Sequence, residues 1–148
     1  MTDLGFSIQE VVIATRDADA AAARFGAALN ADVDARVSYP QEGIGIDMTG
    51  VWIGDFRIAF VEDTTGTGPV ARLIEKRGEG LSEICLRTND LPAAMEHMSR
   101  NGLRFTDDSP HVLHNYEWRG EIFSEVRVAF VHPGSSFGTQ IELQQWVK

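Results

Sequence analysis

Glu10, Glu83 and Glu142 each sit in a short, largely apolar stretch: Gln9-Glu10-Val11-Val12-Ile13-Ala14, Ser82-Glu83-Ile84-Cys85-Leu86 and Gln140-Ile141-Glu142-Leu143-Gln144. A carboxylate on the inner side of a strand is costly to desolvate unless a metal ion, an arginine or a proton compensates it. Converging on one pocket, the three would form either oxygen ligands for a divalent ion or an acid/base centre. Arg57, Arg87 and Arg127 are candidates for gripping a substrate carboxylate or phosphate, with surface ion pairing as the alternative for each. His111 and His114 rank below the glutamates, because a loop of mixed polarity is more often a surface excursion than a site. His97 and His132 read as structural. Tyr116 and Trp118 either cover an apolar substrate or pack at a subunit interface.

The elements that must position these groups follow from periodicity and punctuation. Ile8 to Thr15 reads as a buried strand, and Asp17 stands where an N-cap belongs, ahead of a helix over Ala18 to Leu29. Ala21, Phe25, Ala28 and Leu29 recur at helical spacing, with Asn30 as the stop. Val33 to Tyr39, Ile44 to Met48 and Val51 to Val61 read as strands, broken at Pro40, Gly43, Gly50 and Gly54-Asp55. A polar connector over Glu62 to Gly68 leads to a short helix that Pro69 opens and Gly78 closes. Leu81 to Thr88 is the next strand. Asp90 caps a helix carrying Ala94, Met95 and Met98 on one face, and Asn101-Gly102 stops it. Strand-like runs follow at Leu103 to Thr106, Glu121 to His132 and Thr139 to Trp146, while 111–120 reads as a loop that serves as a lid or a surface excursion.

The order of elements repeats. Laying Glu10 on Glu83 also lays Thr15 on Thr88, Asp17 on Asp90 and Ala20-Ala21 on Ala93-Ala94. A second offset lays Arg57-Ile58-Ala59-Phe60 over Gln140-Ile141-Glu142-Leu143. A repeat near half the chain length indicates duplicated modules. The expected division is a single domain over 1–148, with a first module at 7–63, a connector and short helix at 64–79 and a second module at 80–147.

Composition narrows the partners. A chain of 148 residues is long enough for a substantial core, and a net charge of -9 argues against nucleic acid or an anionic membrane as the main partner. Cys85 is the single cysteine, so an intrachain disulfide and a thiolate zinc site are both excluded, and its apolar strand suggests a packed thiol. No basic start with an apolar run and no stretch of membrane-spanning length is present, which points to a soluble, cytoplasmic protein.

Alternation along the strands puts Val11, Ile13, Ile58, Phe60, Ile84, Leu86, Ile141 and Leu143 on one apolar face, against the helices. Glu10, Val12 and Ala14, then Glu83, Cys85 and Arg87, then Arg57, Ala59 and Val61, and Gln140, Glu142, Gln144 and Trp146 share the other. That face is either solvated sheet or the lining of a cleft. The repeat favours the cleft, since two modules in approximate symmetry would oppose Glu10 to Glu83 and Ala59 to Glu142. Gln140 then joins the substrate-facing set.

Three segments carry a resemblance: Pro69 to Leu81, Asn89-Asp90-Leu91-Pro92-Ala93-Ala94, and Arg127-Val128-Ala129-Phe130-Val131-His132-Pro133 with Ile141-Glu142-Leu143. Together they resemble methylmalonyl-CoA epimerases of the vicinal-oxygen-chelate, or glyoxalase/bleomycin-resistance, superfamily. The resemblance implies an α+β fold of two β-α-β-β-β modules whose curved mixed sheets enclose a metal-bearing cavity, and a homodimer. It implies metal ligands on each module's first strand, on the fourth strand of the first module and on the last strand. Glu142 keeps the last position, Glu10 and Glu83 stand where the family has histidines, and Ala59 replaces the remaining ligand. A further catalytic glutamate of some relatives would fall at Ile46, with Glu42 and Asp47 nearby but not aligned.

Three outcomes follow from that site. Glu10, Glu83 and Glu142 bind magnesium, manganese or calcium in preference to zinc, and the ion polarises a carbonyl while a base removes the adjacent proton, as in an isomerase or lyase. Alternatively no metal is bound, Arg57 and Arg87 compensate two of the acids and the third serves as acid/base. The third outcome is a non-catalytic small-molecule binder with an ion-pair network. The expected enzyme is epimerase-like, moving a proton beside the carbonyl of a small acid or acyl thioester, with Arg57, Arg87, Arg127, Gln140, His114 and Trp118 contacting the substrate.

Overall fold

The computed structural model describes residues 3–41 and 44–148. The expected break at Gly43 and the candidate Glu42 lie outside the described residues. The chain divides into two compact units, Glu10–Ser82 and Met1–Gln9 with Glu83–Lys148. Each carries strands and at least one helix.

In the first half, β1 (Ser7–Ala14) leads to α1 (Ala18–Leu29), then to β2 (Asp32–Val33), β3 (Val37–Gln41), β4 (Ile44–Ile53) and β5 (Phe56–Asp63). The Asp17 carboxylate accepts from the Ala20 N–H, and Asn30 ends the helix in the left-handed conformation at φ 50°. Ala18, Ala22 and Gly26 are the buried residues of α1, with Ala21 and Phe25 beside them; Ala28 and Leu29 are exposed, so the inward face lies closer to the helix start than its apolar spacing suggests. Gly26 is required there, because a Cβ would come 2.6 Å from Val33 Cγ2 and 3.3 Å from the Ala31 carbonyl oxygen. Ala18, Ala22, Phe60 and Val51 form the core, with Ile13 and Ile58 packed against it. β5 runs parallel to β1 and antiparallel to β4, while β2 and β3 both pair with β4.

Two expected breaks are not breaks. Gly50 lies inside β4, and Pro40 lies inside β3, which pairs with β4 alone among the described residues and therefore spares a proline N–H. The Gly54-Asp55 turn between β4 and β5 is as expected. α2 (Pro69–Arg77) follows the polar connector and stops at Gly78. Its N-cap, Gly68, supplies no side chain; Asp63 takes over, accepting from the N–H of Thr65, Gly66 and Ala71.

In the second half, β6 (Gly80–Arg87) leads to α3 (Leu91–Arg100), β7 (His111–Trp118), β8 (Glu121–Val131) and β9 (Gln140–Val147). Asp90 caps α3 at φ -145° and ψ 97°, almost the geometry of Asp17 at φ -145° and ψ 94°. Leu91, Ala94 and Met98 pack on Ala129, Val131 and Leu143, with Leu86 and Ile141 alongside. β9 runs parallel to β6 and antiparallel to β8, and β8 pairs with β7. Residues 111–118 thus form an edge strand rather than a lid, and Leu103 to Thr106 contributes only a single bridge, Phe105 to Val131. The fold is α+β, two modules in one chain: the second is β-α-β-β-β, and the first has the same order with the two-residue β2 added.

The two parallel pairs share one register. Glu10 faces Arg57 and Val12 faces Ala59 across β1 and β5; Glu83 faces Gln140 and Cys85 faces Glu142 across β6 and β9. These are the pairs that the two sequence offsets superpose, so the duplication extends to individual ladder positions.

Candidate functional site

In the first module the expected acid is already neutralised. Glu10 and Arg57 are each 6% exposed, and Arg57 Nη1 donates to Glu10 Oε2 at 2.8 Å. The guanidinium also donates through Nε to Asp34 Oδ2 at 2.7 Å and through Nη2 to Asp34 Oδ1 at 3.3 Å. Asp34 in turn accepts from the Gly50 N–H at 2.8 Å. Burial alone would lower the Arg57 pKa, but the Asp34 hydrogen bonds and the Glu10 charge outweigh it and raise the pKa above its ordinary value. Gly50 makes the arrangement fit, since a Cβ there would lie 2.6 Å from Arg57 Nε. The neighbouring ladder pair, Val12 and Ala59, is apolar and buried.

The position aligned with the further glutamate of some relatives lies in β4. Ile46 is apolar, and Asp47 is held below its ordinary pKa by hydrogen bonds from Ser38 and then Arg36. Arg36 binds Asp19, Asp47 and Glu62 at 2.7 Å each.

The second module keeps the corresponding positions polar. Glu83 and Glu142 are half-buried and Cys85 is fully buried between them. The Cys85 sulfur lies 3.4 Å from Glu83 Oε1 and 3.4 Å from Glu142 Oε2, and one ligand atom from each of the three falls within 4.8 Å of the others. Two carboxylates sharing a thiol neighbour suit a divalent cation, with oxygen donors dominant and one sulfur within reach. Glu142 is further fixed by Gln144, whose Nε2 donates to Glu142 Oε1 at 2.7 Å; Trp146 Nε1 donates to Gln144 Oε1 at 2.8 Å. Arg87 lies over the Trp146 ring at 4.1 Å and donates through Nε to Gln9 Oε1. Tyr116, Trp118 and Phe123 surround the same indole, edge to face at 5.5, 5.2 and 4.8 Å.

The structure therefore gathers Glu83, Glu142, Arg87 and Trp118 into one connected network on the second module, and Gln140 stands in register with Glu83. Glu10 and Arg57 bind one another. Arg127 pairs with Glu125 at 2.9 Å and stands in register with Gln145, one residue out of step with the Glu142, Gln144 and Trp146 face. His114 is exposed opposite Glu125, and His111 is 2.9 Å from Asp107. Cys85 is buried as its apolar strand suggested, but its thiol touches carboxylates. Its parity with Glu83 and Arg87 was the available signal. Gln144 and Trp146 are the other members that residue type alone does not reveal.

Residues 9–119 match the model of the Glyoxalase/Bleomycin resistance protein/Dioxygenase superfamily. The chain is 27% identical over 139 residues to an ethylmalonyl-CoA/methylmalonyl-CoA epimerase of Cereibacter sphaeroides, spanning 93% of this chain and 96% of that protein. It is 23% identical to the mitochondrial methylmalonyl-CoA epimerase of Homo sapiens, over 93% of this chain and 73% of the human protein. Among solved structures, a selenomethionyl methylmalonyl-CoA epimerase superposes with a TM-score of 0.78 over 100% of both chains at 23% identity. The Mycobacterium tuberculosis methylmalonyl-CoA epimerase gives 0.73 at 22% identity, over 93% of this chain and 86% of that one. The repeat, the register and these similarities agree: the chain belongs to the glyoxalase/bleomycin resistance protein/dioxygenase superfamily.

Proposed function

We propose that the protein is an epimerase-like enzyme that moves a proton beside the carbonyl of a small acid or acyl thioester, using Glu83 and Glu142. The observation that carries this reading is the meeting of those two carboxylates at the Cys85 sulfur, 3.4 Å from each. Homology to the CoA-thioester epimerases supports the substrate class. With the Glu10 charge committed to Arg57, the base that takes the proton is Glu83 or Glu142. A divalent ion held by this pair would polarise the substrate carbonyl. Arg87, stacked on Trp146, supplies positive charge for a substrate carboxylate or phosphate. The working form in this reading is a cytoplasmic homodimer.

A second reading follows from the first module, where Glu10 and Asp34 are both paired with Arg57 and the Val12–Ala59 ladder position is apolar. The protein would then be a small-molecule binder of the same fold. One experiment separates the two: incubation in D2O with methylmalonyl-CoA, ethylmalonyl-CoA and a panel of small 2-substituted acids, with deuterium uptake at the carbon beside the carbonyl followed by mass spectrometry. Uptake above the uncatalysed rate is expected. Saturable binding of a panel member with no uptake from any would overturn the enzyme in favour of the binder.

A further inference from the structure

We infer that Trp146 and Gln144 are positioning residues for Glu142, acting through a hydrogen-bond relay that runs in one direction only; the inference rests on the proton-transfer reading above. The indole N–H is a donor and never an acceptor, so the Gln144 atom 2.8 Å from Trp146 Nε1 must be the amide oxygen. That choice turns the Gln144 NH2 toward Glu142, where it donates to Oε1 at 2.7 Å. Glu142 Oε1 is thereby held as an acceptor, and its other oxygen, Oε2, is presented to Cys85 at 3.4 Å. The start of the relay is itself fixed, because the Trp146 ring is wedged edge to face among Tyr116, Trp118 and Phe123 with Arg87 over one face. The indole orientation fixes which end of the amide faces it, and the amide in turn orients the carboxylate.

The thiol adds a constraint at the far end. Cys85 has one proton and two carboxylate neighbours at equal distance, so it donates to Glu83 or to Glu142 but not fully to both. With one Glu142 oxygen already engaged by Gln144, the thiol and the remaining oxygen define the direction in which Glu142 meets a substrate or an ion. The relay therefore sets the aim of the carboxylate rather than its affinity for substrate.

The test is spectroscopic and kinetic. In 15N-labelled protein, Glu142→Gln replaces an anionic acceptor with a neutral one, and both the Gln144 side-chain amide and the Trp146 indole N–H signals are expected to shift. In a Gln144→Leu background the same substitution should leave the indole signal in place, because the link is gone. Trp146→Phe and Gln144→Leu are each expected to lower kcat by about tenfold to 100-fold, as loss of outer supporting contacts does at comparable sites, with KM little changed. If Trp146→Phe fails to fold, Gln144→Leu carries the kinetic arm. An indole signal that ignores Glu142→Gln, or that still responds without Gln144, overturns the relay even if turnover is normal. Intact coupling in a protein that exchanges no substrate hydrogen sinks the proton-transfer reading while leaving the relay in place.

Discussion

Cys85 stands directly opposite Glu142 in the parallel pairing of β6 with β9, its sulfur 3.4 Å from the carboxylate; Val12 and Ala59 hold the same ladder position in the first module. One duplicated position is polar in one copy and apolar in the other, which localises the candidate chemistry to the second module. Replacing Cys85 by valine copies the first-module solution. The expected result is Mn2+ binding weakened by about tenfold or more, as for loss of a contact supporting a metal ligand, with Cys85→Ser losing less. Titration of Mn2+ followed by electron paramagnetic resonance measures both.

The buried cluster of Arg57, Glu10 and Asp34 is a stability element. Arg57→Met takes the guanidinium away from two carboxylates and is expected to cost about 3–5 kcal/mol, the range for breaking a buried ion pair by removing one partner. Combining it with Glu10→Leu should restore part of that loss, since the desolvated charge is removed together with its partner. Urea unfolding of the single and double variants checks the sign of the coupling.

Gly50→Ala tests the same cluster from the backbone. A Cβ 2.6 Å from Arg57 Nε and 3.0 Å from the Ile58 carbonyl oxygen forces the guanidinium away from Asp34, with an expected loss of roughly 1–3 kcal/mol. The loss should shrink when Arg57 is already methionine, measured by the same unfolding curves.

Much of this architecture is legible in the sequence because it is local. Asp17 and Asp90 announce their helices as short acidic caps, Pro69 and Gly78 bracket α2, and alternation sorts the Glu142 face from the Leu143 face. What is missed depends on distant partners. Gly50 looks like a strand break because glycine weakens strands, yet its role is to admit an arginine from the next strand. β7 escapes notice because His111 to Trp118 does not alternate cleanly; its partly buried residues are Leu113, Tyr116 and Trp118, interrupted by Asn115 at φ 53°, and its stability comes from pairing with β8. Asp34 carries no sequence signal as the second partner of Arg57. The contact of Cys85 with two acids is likewise set by the register of β6 on β9.

Acid should loosen the connector before α2. Burial would raise the Asp63 pKa, but hydrogen bonds from the Thr65 hydroxyl and from the N–H of Thr65, Gly66 and Ala71 outweigh it and lower the value below that of an ordinary aspartate. A carboxylate depressed in the folded state contributes stability that is fully present above its unfolded pKa and lost as pH falls through the folded value. Asp63→Asn is therefore expected to flatten the acid limb of the stability profile, with the largest difference from wild type near neutrality. Urea midpoints from pH 7 down to about 3, across the carboxylate range, read this out.

The most direct test is the rate of deuterium uptake from D2O into methylmalonyl-CoA or another accepted substrate by the wild type, Glu83→Gln and Glu142→Gln. Uptake by the wild type is expected, with a fall of at least about 100-fold in at least one of the two variants, the scale of losing a general acid/base, and with unchanged unfolding midpoints. Wild-type rates of uptake in both variants would contradict the proton-transfer reading.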